Sequence, residues 1–190
     1  MQYLGINYDV KHPPKLDPGF IPFGVWADAY RKGAAHPVSI AVERNGGLIS
    51  VRSTYIYGTD EMFEADYRYI ERYVKFLLWS IGGFRVYICG CSAIAQRLQA
   101  AYTPNGARAF DCDFFTKVYE REFQVIDSPL AECPQANEEP QPIGGHLDGC
   151  RIGFDAGGSD RKVSAVIDGE SVYSEEVIWY PKLHEDPGYH

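Results

Sequence analysis

The chain has 190 residues, of which 45% are hydrophobic and 14% aromatic, a composition that can bury a core and excludes a largely disordered chain. Its formal net charge of −8, without a local cluster of Lys and Arg, makes nucleic acid and anionic membranes poor partners. The longest dense apolar run, residues 74–81, is far shorter than the roughly 20 residues that span a bilayer. Five cysteines at low density, with no export signal after Met1, favour a cytoplasmic protein.

The N-terminal third predicts mainly β-structure. Residues 2–8 alternate well enough for one strand, and prolines then make the chain irregular, with a helical turn or two at residues 26–31. Two β-rich runs flank the turn at residues 45–47, whose Asn-Gly-Gly sequence accepts a positive φ. We therefore predict a hairpin formed by residues 38–44 and 48–57.

Residues 60–80 carry the strongest helical pattern in the chain. Apolar side chains recur there at alternating spacings of four and three, and so line one face. Two i,i+4 charge pairs, Glu64 with Arg68 and Glu71 with Lys75, are interpreted as a solvated outer face. The apolar positions are Phe63, Tyr67, Ile70, Val74, Leu77 and Ile81.

Strands and helices alternate in the next segment, which indicates an α/β sheet. Cys89-Gly90-Cys91, at its first corner, is interpreted as a set of small buried residues and not as a metal or thiolate site. Residues 128–142 are rich in Pro and polar residues, as expected of a linker or long surface loop, so we place a domain boundary near Ile143. The alternating elements are predicted at residues 84–89, 92–102, 107–119 and 123–127.

Three short β-rich runs follow the linker and meet at two Gly turns. The first turn, residues 155–159, has the sequence Asp-Ala-Gly-Gly-Ser. Gly157 and Gly158 can leave backbone N–H groups free to face an anion, as phosphate-cradling nests do, and Ser159 adds a hydroxyl donor. The runs are residues 151–155, 162–167 and 171–179.

Charged side chains beside this turn suit a metal–phosphate ligand. Asp155 ends the first run, where a carboxylate could hold the water shell of Mg²⁺, an ion that keeps several waters and takes few protein carboxylates. Arg161 and Lys162 supply positive charge to the same side of the turn. The second turn, Asp168-Gly169, is a favoured hairpin dipeptide without an expected chemical role.

The pattern D-x-G-G-[S/T] in a hairpin, followed by apolar alternation and a D-G turn, resembles the first phosphate motif of the actin, sugar kinase and heat-shock-chaperone ATPases. Within that superfamily, residues 152–178 are most similar to the ROK family of repressors and sugar kinases. The resemblance implies that residues 143–190 are the first β-meander of an actin-like (ribonuclease H-like) ATPase domain, while the pattern of strands and helices predicts a mixed α/β module at residues 1–142. Where family members have a short or basic residue, this chain has Asp160.

The same resemblance implies which residues hold the nucleotide. Asp155 matches the aspartate that binds Mg²⁺ through water, and Gly157, Gly158 and Ser159 match the turn around the β- and γ-phosphates of ATP. Lys162 is the cationic side chain expected at those phosphates.

The function that the resemblance implies is phosphoryl transfer from ATP to a sugar hydroxyl. In the family the catalytic aspartate and the sugar-contacting residues lie downstream of this hairpin, and residues 180–190 contain neither. We therefore expect an N-terminal part of a longer kinase that does not catalyse transfer alone, and we assign no catalytic residue. A DNA-binding ROK repressor is disfavoured because no basic helix-turn-helix precedes the hairpin.

The sequence also allows three other interpretations of these segments. The main rival is a non-catalytic interaction module whose apolar sheet face pairs with a partner, with the rest of its chain, or with a second copy in a homo-oligomer. A permuted arrangement, in which residues 60–127 complete a nucleotide cleft, rests on fold analogy alone. His146 and Cys150 could be half of a zinc site, but a polar loop is the favoured interpretation. The apolar face of the rival module comprises Val163, Ala165, Ile167, Val172 and Val177.

Overall fold

The structure is a computed structural model that describes residues 1–139 and 144–190. The chain is a mixed α/β protein, as predicted, and it forms two compact units, Met1–Glu139 and Pro140–His190. The predicted boundary at Ile143, with Pro140 and Pro142 of the predicted linker, lies outside the described residues.

The first unit begins with a small hairpin of β1 (Gln2–Tyr3) and β2 (Ile6–Asn7). The prediction of one continuous strand is wrong here, because Leu4 and Gly5 have φ values of 48° and 78°. Two consecutive residues with positive φ form the tight turn that reverses a strand in two residues. Alternating side chains on both sides of such a turn look like a single strand in the sequence.

Helix α1 (Phe23–Arg31) follows Pro22 and is longer at its start than the sequence predicts. Proline is tolerated at a helix start because the first N–H groups lack intrahelical partners in any case. Trp26 fixes the helix against the first hairpin, since its buried indole Nε1 donates a 2.9 Å hydrogen bond to the carbonyl of Tyr3.

The central sheet has four strands in the order β4-β3-β5-β6, with only β5 and β6 parallel. The predicted hairpin is confirmed as β3 and β4, and the glycines of its turn, Gly46 and Gly47, have φ values of 76° and 74°. The strands are β3 (His36–Glu43), β4 (Ile49–Ile56), β5 (Arg85–Cys89) and β6 (Gln124–Ser128).

Three further helices pack on this sheet and complete a core with α1. They are α2 (Phe63–Ser80), α3 (Ser92–Ala101) and α4 (Ala109–Tyr119). No helix in the described residues is long and apolar enough to cross a membrane. The core is built from strand residues that alternate toward the helices and from one face of each helix. Its fully buried large side chains include Trp26, Tyr30, Ile40, Ile70, Val74, Ile88, Ile94 and Leu98.

The first part of the predicted linker belongs to the first unit. Residues 129–139 run from the end of β6 to the far edge of the sheet, where Asn137 and Ile49 exchange two backbone hydrogen bonds of 2.9 Å. The carboxylate of Glu138 accepts a hydrogen bond from Ser50 and pairs with Arg44. These contacts show that prolines and polar residues in this segment follow the sheet surface.

The second unit is an antiparallel meander, as the three predicted runs indicate. Its second turn is Asp168-Gly169, with φ values of 49° and 88°. A bulge in the β8–β9 pairing falls at Ala165/Val166. The strands are β7 (Cys150–Ala156), β8 (Asp160–Ile167) and β9 (Glu170–Ile178).

Candidate functional site

The pairing of the meander strands places the predicted metal residue and the predicted phosphate lysine next to each other. Asp155 on β7 lies directly opposite Lys162 on β8, which in turn lies opposite Glu176 on β9. Directly paired residues point to the same face of a sheet. These three charged residues therefore form one row across the polar face. Asp155 and Lys162, with Ser164 and Ser174, line a shallow depression of about 330 Å³.

Carboxylates already surround the lysine in this row. The Nζ of Lys162 lies 3.6 Å from Oδ2 of Asp160 and 3.7 Å from Oε1 of Glu176. The negative charges of Asp160 and Glu176 raise the pKa of Lys162, so the ammonium is the form present near neutral pH. Around Lys162 the polar face thus carries three carboxylates, including Asp155, against one ammonium, while Arg151 lies on the same face toward the other end of β7.

The Gly-Gly turn is shaped by sterics and is not a phosphate nest. Neither Gly157 nor Gly158 has a positive φ, which the alternating backbone of a nest requires. A Cβ on Gly157 would lie 2.7 Å from the carbonyl oxygen of Asp160 and 2.8 Å from its Oδ1, so glycine is needed there for a close approach. A Cβ on Gly158 would meet no atom within 4 Å.

Arg161 lies on a different face of the meander from the one expected. Arg161 pairs with Ala156 and Val177, so it belongs to the face opposite Lys162, and its Nη1 donates a 3.1 Å hydrogen bond to the carbonyl of His190. The expectation that Arg161 and Lys162 supply positive charge to the same side of the turn is therefore wrong. The Ser159 carbonyl accepts a 3.0 Å hydrogen bond from the backbone N–H of Trp179.

The donor set on the polar face fits a hydrated Mg²⁺ ion better than a bare anion. Mg²⁺ keeps several of its waters and uses one or two carboxylates, and Asp155 offers one beside the turn. An unneutralised phosphate would meet the surrounding carboxylates of Asp160 and Glu176 and be repelled. Within the described ranges, no group of three or more His, Cys, Asp or Glu side chains is arranged to bind a metal directly.

The opposite face of the meander carries several exposed apolar side chains, together with the charged Arg161 and Glu175. Strand alternation puts Ile152 and Phe154 on the same side as Val163 and Ala165. The exposed fraction is 78% for Ile152 and 65% for Phe154. Val172 lies at the bulge, where this residue of β9 is skipped in the pairing with β8. This face is the apolar surface on which the interaction hypothesis depends.

A buried charge network in the first unit was missed by the sequence interpretation. Glu71, predicted on a solvated face, has a side chain only 5% exposed and pairs with Arg108 at the start of α4. Lys75 pairs with Asp111 instead, at 3.4 Å, and the indole Nε1 of Trp79 donates to Asp111. These partners lie more than 30 residues apart, so no local pattern could have identified them.

A groove in the first unit was also missed. It has a volume of about 590 Å³ and lies between α1, β4 and α2. Its residues come from three separate segments, each of which looks like ordinary core or surface in the sequence. The lining includes Phe23, Ala27, Arg31, Thr54, Arg72 and Tyr73.

The cysteines form neither a disulfide nor a metal cluster among the described residues. All five lie in the described part of the chain, and each is a free thiol. Burial, and then the neighbouring Cys133, raise the pKa of Cys89 to about 12, which keeps its thiol protonated and a poor nucleophile. Gly90 follows with φ 99°, where a Cβ would approach the carbonyl of Pro37 to 3.1 Å. The interpretation of this corner as small packed residues fits these contacts.

Comparisons of this chain with family models, with curated proteins and with solved structures found no match. The chain is a mixed α/β protein, and the antiparallel meander of its second unit carries the row of charged residues. The resemblance to the ROK family thus remains a prediction from residues 152–178.

Proposed function

We propose that the second unit is the nucleotide-phosphate-binding hairpin of a ROK-like, ATP-dependent sugar kinase of the cytoplasm. The observation that carries this proposal is the row formed by Asp155 and Lys162, which lies at the end of β7 beside a Gly-Gly turn. A carboxylate that can hold a hydrated metal ion, a cation and a turn with open space at Gly158 are parts that phosphoryl transfer uses to position ATP.

Each residue of the row has a distinct part in this proposal. Asp155 accepts hydrogen bonds from water bound to Mg²⁺, while the Lys162 ammonium neutralises phosphate charge that the metal leaves. A Cβ added at Gly158 would meet no atom within 4 Å, so this residue leaves room for the phosphates to pass over the backbone. Because Asp160 and Glu176 repel a free phosphate, we expect binding to require Mg²⁺.

The first test is a titration of the ¹⁵N-labelled chain with ATP, with and without Mg²⁺, read from backbone amide shifts. We expect saturable shifts at Gly157, Gly158 and Ser159 only when Mg²⁺ is present. NMR detects dissociation constants of about 1 mM, so a site contributing only roughly 4 kcal/mol is visible. Asp155→Ala should abolish the Mg²⁺-dependent shifts. Glu170→Ala, which removes a carboxylate from the far end of the same sheet, should not.

A second variant separates the turn from the metal residue. Gly158→Val adds a branched side chain where the structure has open space, so the fold should persist while the phosphate path is blocked. The proposal is wrong if several millimolar Mg²⁺–ATP moves none of the three turn amides. It is also wrong if Asp155→Ala and Gly158→Val bind as the unchanged chain does.

The exposed apolar face favours a second candidate function, a non-catalytic interaction module. Ile152 and Phe154 project from an edge strand of a sheet whose apolar face is open. Exposed apolar patches of this kind mark interaction surfaces. Sedimentation velocity should then show concentration-dependent self-association that Phe154→Asp removes. A monomer at every concentration would count against self-pairing.

A further inference from the structure

The groove between α1, β4 and α2 combines an apolar floor with aromatic walls. Ala27, Thr54 and Tyr69 are buried at its base, where the hydroxyls of Thr54 and Tyr69 share a 2.9 Å hydrogen bond. Phe23 and Tyr73 add aromatic rings to the sides. Because the floor hydroxyls already satisfy each other, the base of the groove offers mainly apolar contact.

One side chain of the groove is a cation without a carboxylate partner. Arg72 is partly buried, forms no ion pair within the described residues, and places its guanidinium 5.8 Å from the ring centre of Phe23. Arg31, the other arginine of the lining, is paired with Asp28. Guanidinium groups in partly buried sites normally bind carboxylates or phosphates in a bidentate manner. Arg72 is therefore the group in this groove that a ligand anion would satisfy.

Two further arginines lie near Tyr73 on the same side of the groove, and each is also paired with a carboxylate. Burial raises the pKa of Tyr73, and Arg52 and Arg31 act in the opposite direction because both lie close to its hydroxyl. Because Asp28 pairs with Arg31 and Glu138 pairs with Arg52, Arg72 supplies the unpaired positive charge of this groove among the described residues. Such a cleft attracts small anions against the overall field of the protein.

We infer that the groove between α1, β4 and α2 binds a small organic anion, an aromatic ring that carries a carboxylate or phosphate group. The ring packs between Phe23 and Tyr73, and the acidic group pairs with the guanidinium of Arg72. The volume of about 590 Å³ lies in the range of small-molecule sites and accommodates one or two rings. This site is independent of the nucleotide hairpin, and its failure would leave that proposal unaffected.

Gly24 provides a direct way to block the groove. It lines the groove on α1, and a Cβ added there would meet no atom within 4 Å. Gly24→Leu should therefore fill the cavity without displacing neighbours, and it also favours the helix because glycine is a poor helix former.

The test titrates the full ¹⁵N-labelled chain with benzoate, phenyl phosphate, phenol and glucose 6-phosphate. We expect benzoate and phenyl phosphate to shift the amides of Gly24, Ser53 and Thr54 in a saturable manner. Phenol, which lacks the charge, should bind about tenfold or more weakly, as expected when a charge-assisted hydrogen bond is absent.

Two variants decide between the groove and other surfaces. Arg72→Gln should weaken benzoate binding about tenfold, whereas Arg121→Gln should leave it unchanged. Arg121 is a matched control because its guanidinium also lies over a phenylalanine, 5.0 Å from the ring centre of Phe84. Gly24→Leu should remove the shifts at Ser53 and Thr54 while the rest of the amide spectrum is retained.

Several outcomes would overturn the inference. One is that neither benzoate nor phenyl phosphate shifts the groove amides; another is that phenol binds as tightly as benzoate. Binding of glucose 6-phosphate alone would exclude an aromatic ligand, and unchanged affinity in Arg72→Gln would exclude the proposed ion pair.

Discussion

Asp66 joins three segments of the first unit through one buried carboxylate. Its oxygens accept hydrogen bonds from the backbone N–H groups of Tyr57, at 3.0 Å, and Gly58, at 2.8 Å, and from the hydroxyl of Tyr30. Burial and the adjacent carboxylate raise the pKa of Tyr30, so its hydroxyl remains protonated and donates. The Asp66 side chain thereby connects the first turn or two of α2 with the last turn of α1 and with the residues that follow β4.

Asp66→Ala should lower the free energy of unfolding by about 3 kcal/mol or more, because three donors to a charged acceptor lose their partner. Urea denaturation measures this loss. Asp113→Ala, which removes an exposed carboxylate paired only with Lys117, should change stability by less than about 0.5 kcal/mol. Equal effects of the two substitutions would contradict the role given to Asp66.

Cys89 and Cys150 should differ strongly in reactivity. The raised pKa of Cys89 keeps it a buried thiol, whereas Cys150 is exposed. Iodoacetamide at about pH 8 should modify Cys150 in the folded chain and reach Cys89 only in concentrated urea. Because folding raises the pKa of Cys89, its contribution to stability is present below the ordinary value of 9.0 and is lost as the pH rises toward 12. Similar modification rates for both thiols in the folded chain would refute this assignment.

At the scale of elements, α2 and α4 are joined by charges and not only by apolar packing. Glu71 on α2 pairs with Arg108, and Asp111 on α4 pairs with Lys75. Oε2 of Glu71 and the hydroxyl of Tyr102 are buried without a hydrogen-bond partner among the described residues. Because burial removes the hydration of both charges, such a pair adds little net stability compared with apolar residues of similar volume, whereas the loss of one partner is strongly destabilising.

Removing one partner of the Glu71–Arg108 pair should be more damaging than removing both. Glu71→Leu alone should cost about 3–5 kcal/mol, since it leaves a partly buried guanidinium without its main carboxylate. The double variant Glu71→Leu/Arg108→Leu should recover most of that loss. A double-mutant cycle in urea checks this prediction. Additive losses would mean that the two residues do not act as a pair.

Elements with strong local signals could be predicted from the sequence, and their partners could not. The periodicity of residues 60–80 predicts α2, and the Asn-Gly-Gly and Asp-Gly turns predict the two hairpins, because spacing and turn residues act over a few positions. Leu4 shows the limit, since a positive φ at leucine has no sequence signature. Asp155 and Lys162 were predicted as site residues from the sequence, whereas the carboxylates around Lys162 and the backbone of the Gly-Gly turn were visible only in the structure.

At the scale of the whole molecule, the two units differ in how much core each contains. Every side chain described as buried lies in Met1–Glu139, whereas the meander of the second unit has no fully buried residue among those described. A three-stranded sheet needs a covered apolar face for independent stability. The first unit therefore contains the core needed to fold by itself.

A fragment of residues 1–139 should unfold cooperatively and keep the secondary structure of the first unit. A fragment of residues 1–128 should be less stable by roughly 2 kcal/mol, because it loses the backbone pair of Asn137 with Ile49 and the bonds of Glu138. Circular dichroism with urea denaturation compares the two fragments. If both unfold at the same urea concentration, residues 129–139 do not stabilise the sheet.

The sequence by itself determined the α/β class, the two hairpins and the main helix, and it predicted Asp155 and Lys162 as functional residues beside two glycines. These features depend on side-chain period and turn chemistry, which neighbouring residues specify. Only the tertiary structure decided that Glu71 is buried, that Asp66 joins three segments and that Arg72 lies in a groove. Those facts depend on partners distant along the chain, such as Arg108, which lies 37 residues from Glu71. Contacts of that kind form only when the helices pack on the sheet.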